Sequence, residues 1–173
     1  GTCVGICPVD AFSRKLERNG LTRLSIDQDK CINCGKCYTY CPASKESDYS
    51  DIKTFVSNRK YYVGFSNNER VRKMASSGGI AKALIVDGLN SGVVDGVYSL
   101  LSSCEFPYPE DGFPYVKGVF IKKGDAVSYD DVPNSIYHPV MMNLNLNQIE
   151  KVDTLMIIGL PCQLKGAEEF LRG

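Results

Sequence analysis

The chain has 173 residues, with 20 basic and 20 acidic side chains balancing to a formal net charge of zero and 43% hydrophobic residues, a globular composition. Balanced charge without a block of like residues gives no electrostatic footprint for nucleic acid, and no run of about 18 apolar residues is present to span a bilayer. The opening residues Gly1, Thr2, Cys3, Val4 and Gly5 include no Met, basic start or long apolar core, so no secretory leader is visible and the sequence reads as beginning inside a longer protein.

Six of the eight cysteines fall between Cys3 and Cys41, a clustering that asks for a metal. The densest stretch, Cys31-Ile32-Asn33-Cys34-Gly35-Lys36-Cys37-Tyr38-Thr39-Tyr40-Cys41-Pro42, is the C-x2-C-x2-C-x3-C-P run that holds iron–sulfur clusters. Three thiolates spaced by two residues wrap one face of a cubane, and Gly35 lets the backbone come close to it. Structural zinc more often uses two separated cysteine pairs, and disulfides within so short a run are sterically awkward. Upstream, Cys3-Val4-Gly5-Ile6-Cys7-Pro8 repeats the last half of the same pattern. Because the fourth cysteine of each run ligates the other cluster in two-cluster ferredoxins, Cys7, Cys31, Cys34 and Cys37 are expected to make one complete site. Cys3 and Cys41 then serve a second, whose remaining ligands are expected before Gly1.

Between the runs, Lys15 to Arg18, Asn19-Gly20 and Leu21 to Ile26 predict a hairpin with a two-residue type I′ turn. Residues 1–47 resemble a bacterial-type dicluster ferredoxin module, including the Cys7-Pro8-Val9-Asp10-Ala11-Phe12 and Ile26-Asp27-Gln28-Asp29-Lys30-Cys31-Ile32 flanks. Residues 48–68 read as a linker, with a short strand expected at Tyr61-Tyr62-Val63-Gly64-Phe65.

A second domain is expected over 69–173. Arg72-Lys73-Met74-Ala75-Ser76-Ser77-Gly78-Gly79 leads into an apolar helix, Ile80 to Leu89. On the residues alone, a Ser N-cap beside a flexible turn is the commoner reading; the alternative is a helix start that receives phosphate or a flavin edge, with Arg72 and Lys73 as countercharge. Gly92 to Leu101 predicts a buried strand, and Val116 to Ile121 with Ala126-Val127 predicts a hairpin across Lys122-Lys123-Gly124-Asp125. Cys104 to Pro114 reads as an irregular loop with Cys104 a packed thiol, and His138, beside Pro139, as a loop residue without chemistry. Asp153 to Ile158, Gly159-Leu160-Pro161-Cys162-Gln163 and Leu164 to Leu171 predict strand, turn and helix. Cys162 at the helix start is either a redox group or cluster neighbour whose pKa the helix dipole lowers, or a half-buried turn cysteine. The chain is expected to stop in mid-helix.

These motifs, in this order, are similar to the beta subunit family of coenzyme F-420 hydrogenases and dehydrogenases. The resemblance implies an α+β protein: a 4Fe-4S ferredoxin-type module followed by a truncated α/β flavin-binding domain. It implies two 4Fe-4S clusters in the full-length protein, with one complete ligand set here, and FAD contacted by Ser76, Ser77, Gly78 and Gly79, with Arg72 and Cys162 close by. The implied activity is oxidoreduction, in which clusters deliver single electrons and the flavin exchanges a hydride with an organic acceptor or donor such as a deazaflavin. The implied partners are a redox protein or subunit and that small molecule, in the cytoplasm. Leu160 departs from the Thr that the family commonly carries before Pro-Cys-Gln. Two rivals are a non-catalytic electron-transfer subunit docking to a partner oxidoreductase and a zinc-stabilised interaction module.

Overall fold

The computed structural model of the protein describes residues 1–19, 21–44, 60–102, 116–137 and 139–172. The linker reading at 48–59, the loop with Cys104 and the reading of His138 lie outside the described residues.

The cysteine-rich segment is built on two equivalent single turns of helix, α1 (Thr2–Gly5) and α2 (Lys36–Thr39). In α1 the Gly5 and Ile6 amides donate to the Gly1 and Thr2 carbonyls, and in α2 the Thr39 and Tyr40 amides donate to those of Gly35 and Lys36. The repeat in the cysteine spacing is therefore also a repeat in backbone hydrogen bonding. Between them, β1 (Phe12–Leu16) and β2 (Thr22–Ile26) pair antiparallel, with Ser13 opposite Ser25 and their hydroxyls 2.8 Å apart. The register continues to Glu17, whose amide donates to the Leu21 carbonyl, so the loop spans three residues, not the expected two. Asn19 Oδ1, accepting from the Leu21 amide at 3.0 Å, closes it from its own side chain.

The second half is a three-stranded mixed sheet in the order β4-β3-β5. Its central strand β3 (Gly96–Ser102) runs antiparallel to β4 (Val116–Lys122) and parallel to β5 (Leu155–Ile157). Successive side chains of a strand face opposite ways, and β3 is buried on both sides. Val97 joins Ile85, Val86, Leu89, Val94, Ile121 and Val132 in one core, while Tyr98 joins Met142, Leu146 and Ala167 in the other. A short helix α3 (Glu69–Met74), N-capped by Asn68, precedes α4 (Ile80–Ser91), whose Ile85, Val86 and Leu89 carry the helical spacing that fills the first core. The second core is closed by a 3-10 segment (Met142–Gln148) and by α5 (Pro161–Arg172).

Four expectations change. Residues 61–65 form no strand; they are exposed and without regular secondary structure, and the Ser66 amide after them donates to the Gly78 carbonyl at 2.8 Å. The strand expected from Gly92 starts at Gly96, because Gly92 caps α4. Ala126 and Val127 do not pair with β4, which pairs with β3 instead. A turn held by Asp125 Oδ2 on the Lys122 amide sends Val127 and Tyr129 onto the first core. The last strand is three half-buried residues, and its helix starts at Pro161, where proline's fixed φ and missing N–H are no loss.

Candidate iron–sulfur and cofactor site

The six clustered cysteines divide between two cavities. Cys7, Cys31, Cys34 and Cys37 line a cavity of about 230 Å³ with Pro8, Val9, Phe12 and Ile32 among its apolar walls. Cys3 and Cys41 line another, of about 610 Å³. The division follows from the helical turns: α1 and α2 each hold one cysteine in the turn and release the next, Cys7 or Cys41, just past the cap. Each cavity thus receives the in-turn cysteine of one repeat and the trailing cysteine of the other.

The smaller cavity has the donor chemistry for a thiolate-held cluster. The Ala11 amide donates to Cys7 Sγ at 3.3 Å, and Gly35, at φ +72 with open space where a Cβ would stand, carries the chain from Cys34 to Cys37. All seven cysteines among the described residues are free thiols. Among the described residues no three His, Cys, Asp or Glu side chains gather to hold a single metal ion; the four cysteines line one cavity, and their thiolates are the ligand type of a 4Fe-4S cluster.

The larger cavity lies between the cysteine-rich segment and the sheet domain. Its walls include Cys3 and Cys41 on one side and Ala81 and Ile85 of α4, Ser99 of β3, Asn134, and Gly159, Leu160, Cys162 and Gln163 on the other. Its size and mainly apolar lining with a few polar groups are those of a cofactor site. Burial pushes the Cys3 thiol up from its ordinary pKa, against the opposing pull of the Gly1 ammonium. Cys162, the second residue of α5, is exposed, and Gln163 Oε1 closes the turn before it by accepting from the Leu160 amide at 2.8 Å.

The Ser-Ser-Gly-Gly turn is not capped by serine: the N-cap of α4 is Gly79, with no side-chain capping bond. Gly78 and Gly79 both have φ above +70, and a Cβ on Gly79 would stand 2.7 Å from Val71 Cγ1. Ser76, Ser77 and Gly79 line a cavity of about 210 Å³ with Lys82, Asn134 and Ser135. Gly78 and Arg72 are not in that wall. Arg72 instead lies over the Phe65 ring, 4.8 Å from its centroid, and donates to the Ser66 carbonyl at 3.3 Å.

Sequence reasoning missed Lys82 and Asn143. Lys82 is buried inside α4, donating from Nζ to the carbonyls of Tyr129, at 2.9 Å, and Val132; burial lowers its pKa, and Asp130 partly restores it. A lysine on the apolar face of a helical pattern was the available signal. Asn143, buried in the wall of the larger cavity, sits in an alternating Asn/Leu stretch with no local signature.

Residues 1–45 match the 4Fe-4S dicluster domain, and residues 61–143 match the N-terminal domain of the coenzyme F-420 hydrogenase/dehydrogenase beta subunit. The chain is 23% identical to an uncharacterized protein of Methanocaldococcus jannaschii over 99% of its own length and 51% of that protein. Over 25% of its length it is 43% identical to one component of the Na(+)-translocating ferredoxin:NAD(+) oxidoreductase complex of Acetobacterium woodii, covering 12% of that component. Over a similar stretch it is 42% identical to a 7Fe ferredoxin of Hydrogenibacillus schlegelii, covering 49% of it. The chain thus spans about half the length of two of these relatives and an eighth of the third. Along the chain a match to the 4Fe-4S dicluster domain is thus followed by a match to the N-terminal domain of the coenzyme F-420 hydrogenase/dehydrogenase beta subunit.

Proposed function

We propose that the protein is an iron–sulfur flavoprotein oxidoreductase. The observation that carries the reading is the larger cavity, which brings Cys3 and Cys41 of the dicluster domain to the same space as Cys162 and the first turns of α4.

In this reading Cys7, Cys31, Cys34 and Cys37 hold one 4Fe-4S cluster, and Cys3 and Cys41 contribute to a second. FAD lies in the larger cavity and along the Ser76, Ser77 and Gly79 wall, which shares Ala81, Pro133 and Asn134 with it. A flavin supplies the exchange between one-electron and hydride chemistry. The residues do the rest: the apolar walls exclude water, Gly78 and Gly79 shape the turn, and Cys162 lines the passage between thiolates and ring. Arg72, held at Phe65, shapes the 65–66 segment next to that turn. The hydride partner is an organic acceptor or donor of the deazaflavin kind, a redox protein supplies or takes the single electrons, and oxygen-sensitive clusters suit the cytoplasm. Among the described residues no helix is long and apolar enough to cross a membrane.

The test is anaerobic purification of the full-length protein with iron, acid-labile sulfide and released flavin measured on one sample. About eight irons with FAD support the reading. Iron without flavin, even after reconstitution with FAD, leaves an electron-transfer subunit whose chemistry belongs to its partner.

A further inference from the structure

Asn143 is 2% exposed, and its side-chain amide makes two hydrogen bonds, one across the junction to the cysteine-rich segment and one to α5 within its own half of the chain. Nδ2 donates to Thr2 Oγ1 at 3.0 Å and to the Gln163 carbonyl at 2.8 Å. Thr2 immediately precedes Cys3, and Gln163 immediately follows Cys162. The surrounding contacts are backbone-close: a Cβ on Gly5 would stand 2.1 Å from the Asn143 carbonyl oxygen, and one on Gly166 would stand 2.2 Å from Thr2 Oγ1. Small residues on α1 and α5 thus let both elements press against the same asparagine.

Stability alone does not account for the residue type. Among the described residues Asn143 Oδ1 is buried with no hydrogen-bond partner, a desolvation cost that an apolar side chain of the same shape avoids. An amide is nevertheless what the position asks for, because two donors must diverge from one short side chain. Asp offers no donor when ionised, Ser offers one, and Leu none.

We propose that Asn143 is a positioning residue that fixes Cys3 relative to Cys162 across the larger cavity. The purpose assigned to this pin rests on the electron-transfer reading above, since tunnelling rates fall exponentially with separation. The pin itself is a statement about geometry alone.

The test uses the full-length holoprotein in a Cys104→Ser, Cys162→Ser background, with a nitroxide attached through Lys165→Cys on the exposed side of α5, outside the cavity wall, and its distance to the reduced clusters measured by pulsed electron paramagnetic resonance. Thr2→Val removes one acceptor at constant shape, Thr2→Ser keeps it, and Asn143→Leu removes both donors. The expected result is a narrow distribution in the parent and in Thr2→Ser, and about a fivefold larger share of displaced distances in Thr2→Val, the change that loss of one ordinary hydrogen bond gives. Asn143→Leu is expected to broaden further while retaining the parent's iron content. Distributions that stay as narrow in Thr2→Val as in Thr2→Ser overturn the proposal, as does a parent that is already broad. If the variants broaden but no electron passes to a flavin in the unlabelled protein with its native cysteines, the pin stands and the oxidoreductase reading falls.

Discussion

Cys3 and Cys41, from opposite ends of the cysteine-rich segment, line one cavity, while Cys7 and Cys37, their partners within the two repeats, line the other. The exchange comes from two equivalent helical turns, each of which places its own cysteine and the trailing one on different sides.

That sorting predicts two phenotypes. Cys7→Ser and Cys31→Ser are each expected to remove the same cluster signal from the reduced protein, whereas Cys3→Ser and Cys41→Ser remove the other, with about half of the iron lost in each case. Iron counts and low-temperature electron paramagnetic resonance on the four variants check it. Grouping of Cys7 with Cys3 would refute the sorting.

Tyr98, fully buried on β3, donates its hydroxyl to the Met142 carbonyl at 2.6 Å. Burial pushes its pKa up to about 12, with the Asn145 backbone pulling slightly the other way. The group is held neutral in the folded state, so its contribution is complete below the unfolded-state pKa of about 10 and is lost as pH rises towards 12. Tyr98→Phe is expected to cost about 1–2 kcal/mol at neutral pH. Urea titrations at pH 7 and pH 11 should show a smaller gap between variant and parent at the higher pH.

Lys82 ties α4 to the segment that carries Asn134 through the Tyr129 and Val132 carbonyls. Lys82→Met keeps the apolar stem but removes the donors, and is expected to lower stability by about 2 kcal/mol. Chemical denaturation measures the loss. Hydrogen exchange should rise in residues 129–136 while the hairpin of β1 and β2 remains unchanged.

Gly79 and Gly124 both have positive φ, but a Cβ meets Val71 at the first and open space at the second. Gly124→Ala is therefore expected to cost about 1 kcal/mol of backbone strain, whereas Gly79→Ala adds a steric clash and should cost about 2 kcal/mol or more. Equal melting temperatures for the two variants would show that the contact with Val71 is relieved without penalty.

The cysteine spacing by itself determined the dicluster segment, because thiolate ligation leaves a fixed local pattern, and apolar periodicity determined α4 and the region of β3 for the same local reason. Strand partners were beyond it. Val116 to Ile121 carried the signal of a strand but not the information that it pairs with β3, since either neighbour satisfies its backbone. The exposed run Tyr61 to Phe65 had strand composition without a strand to pair with. Only the tertiary structure decided what meets across the larger cavity: α1, α4, β3 and α5 are distant in sequence, and their approach depends on Gly5, Gly166 and the two donors of Asn143. Short-range patterns record covalent spacing and helical or strand period. They do not record which distant side chain supplies a buried group's hydrogen-bond partner, and it is such a partner, Asn143, that joins the residue before Cys3 to the residue after Cys162.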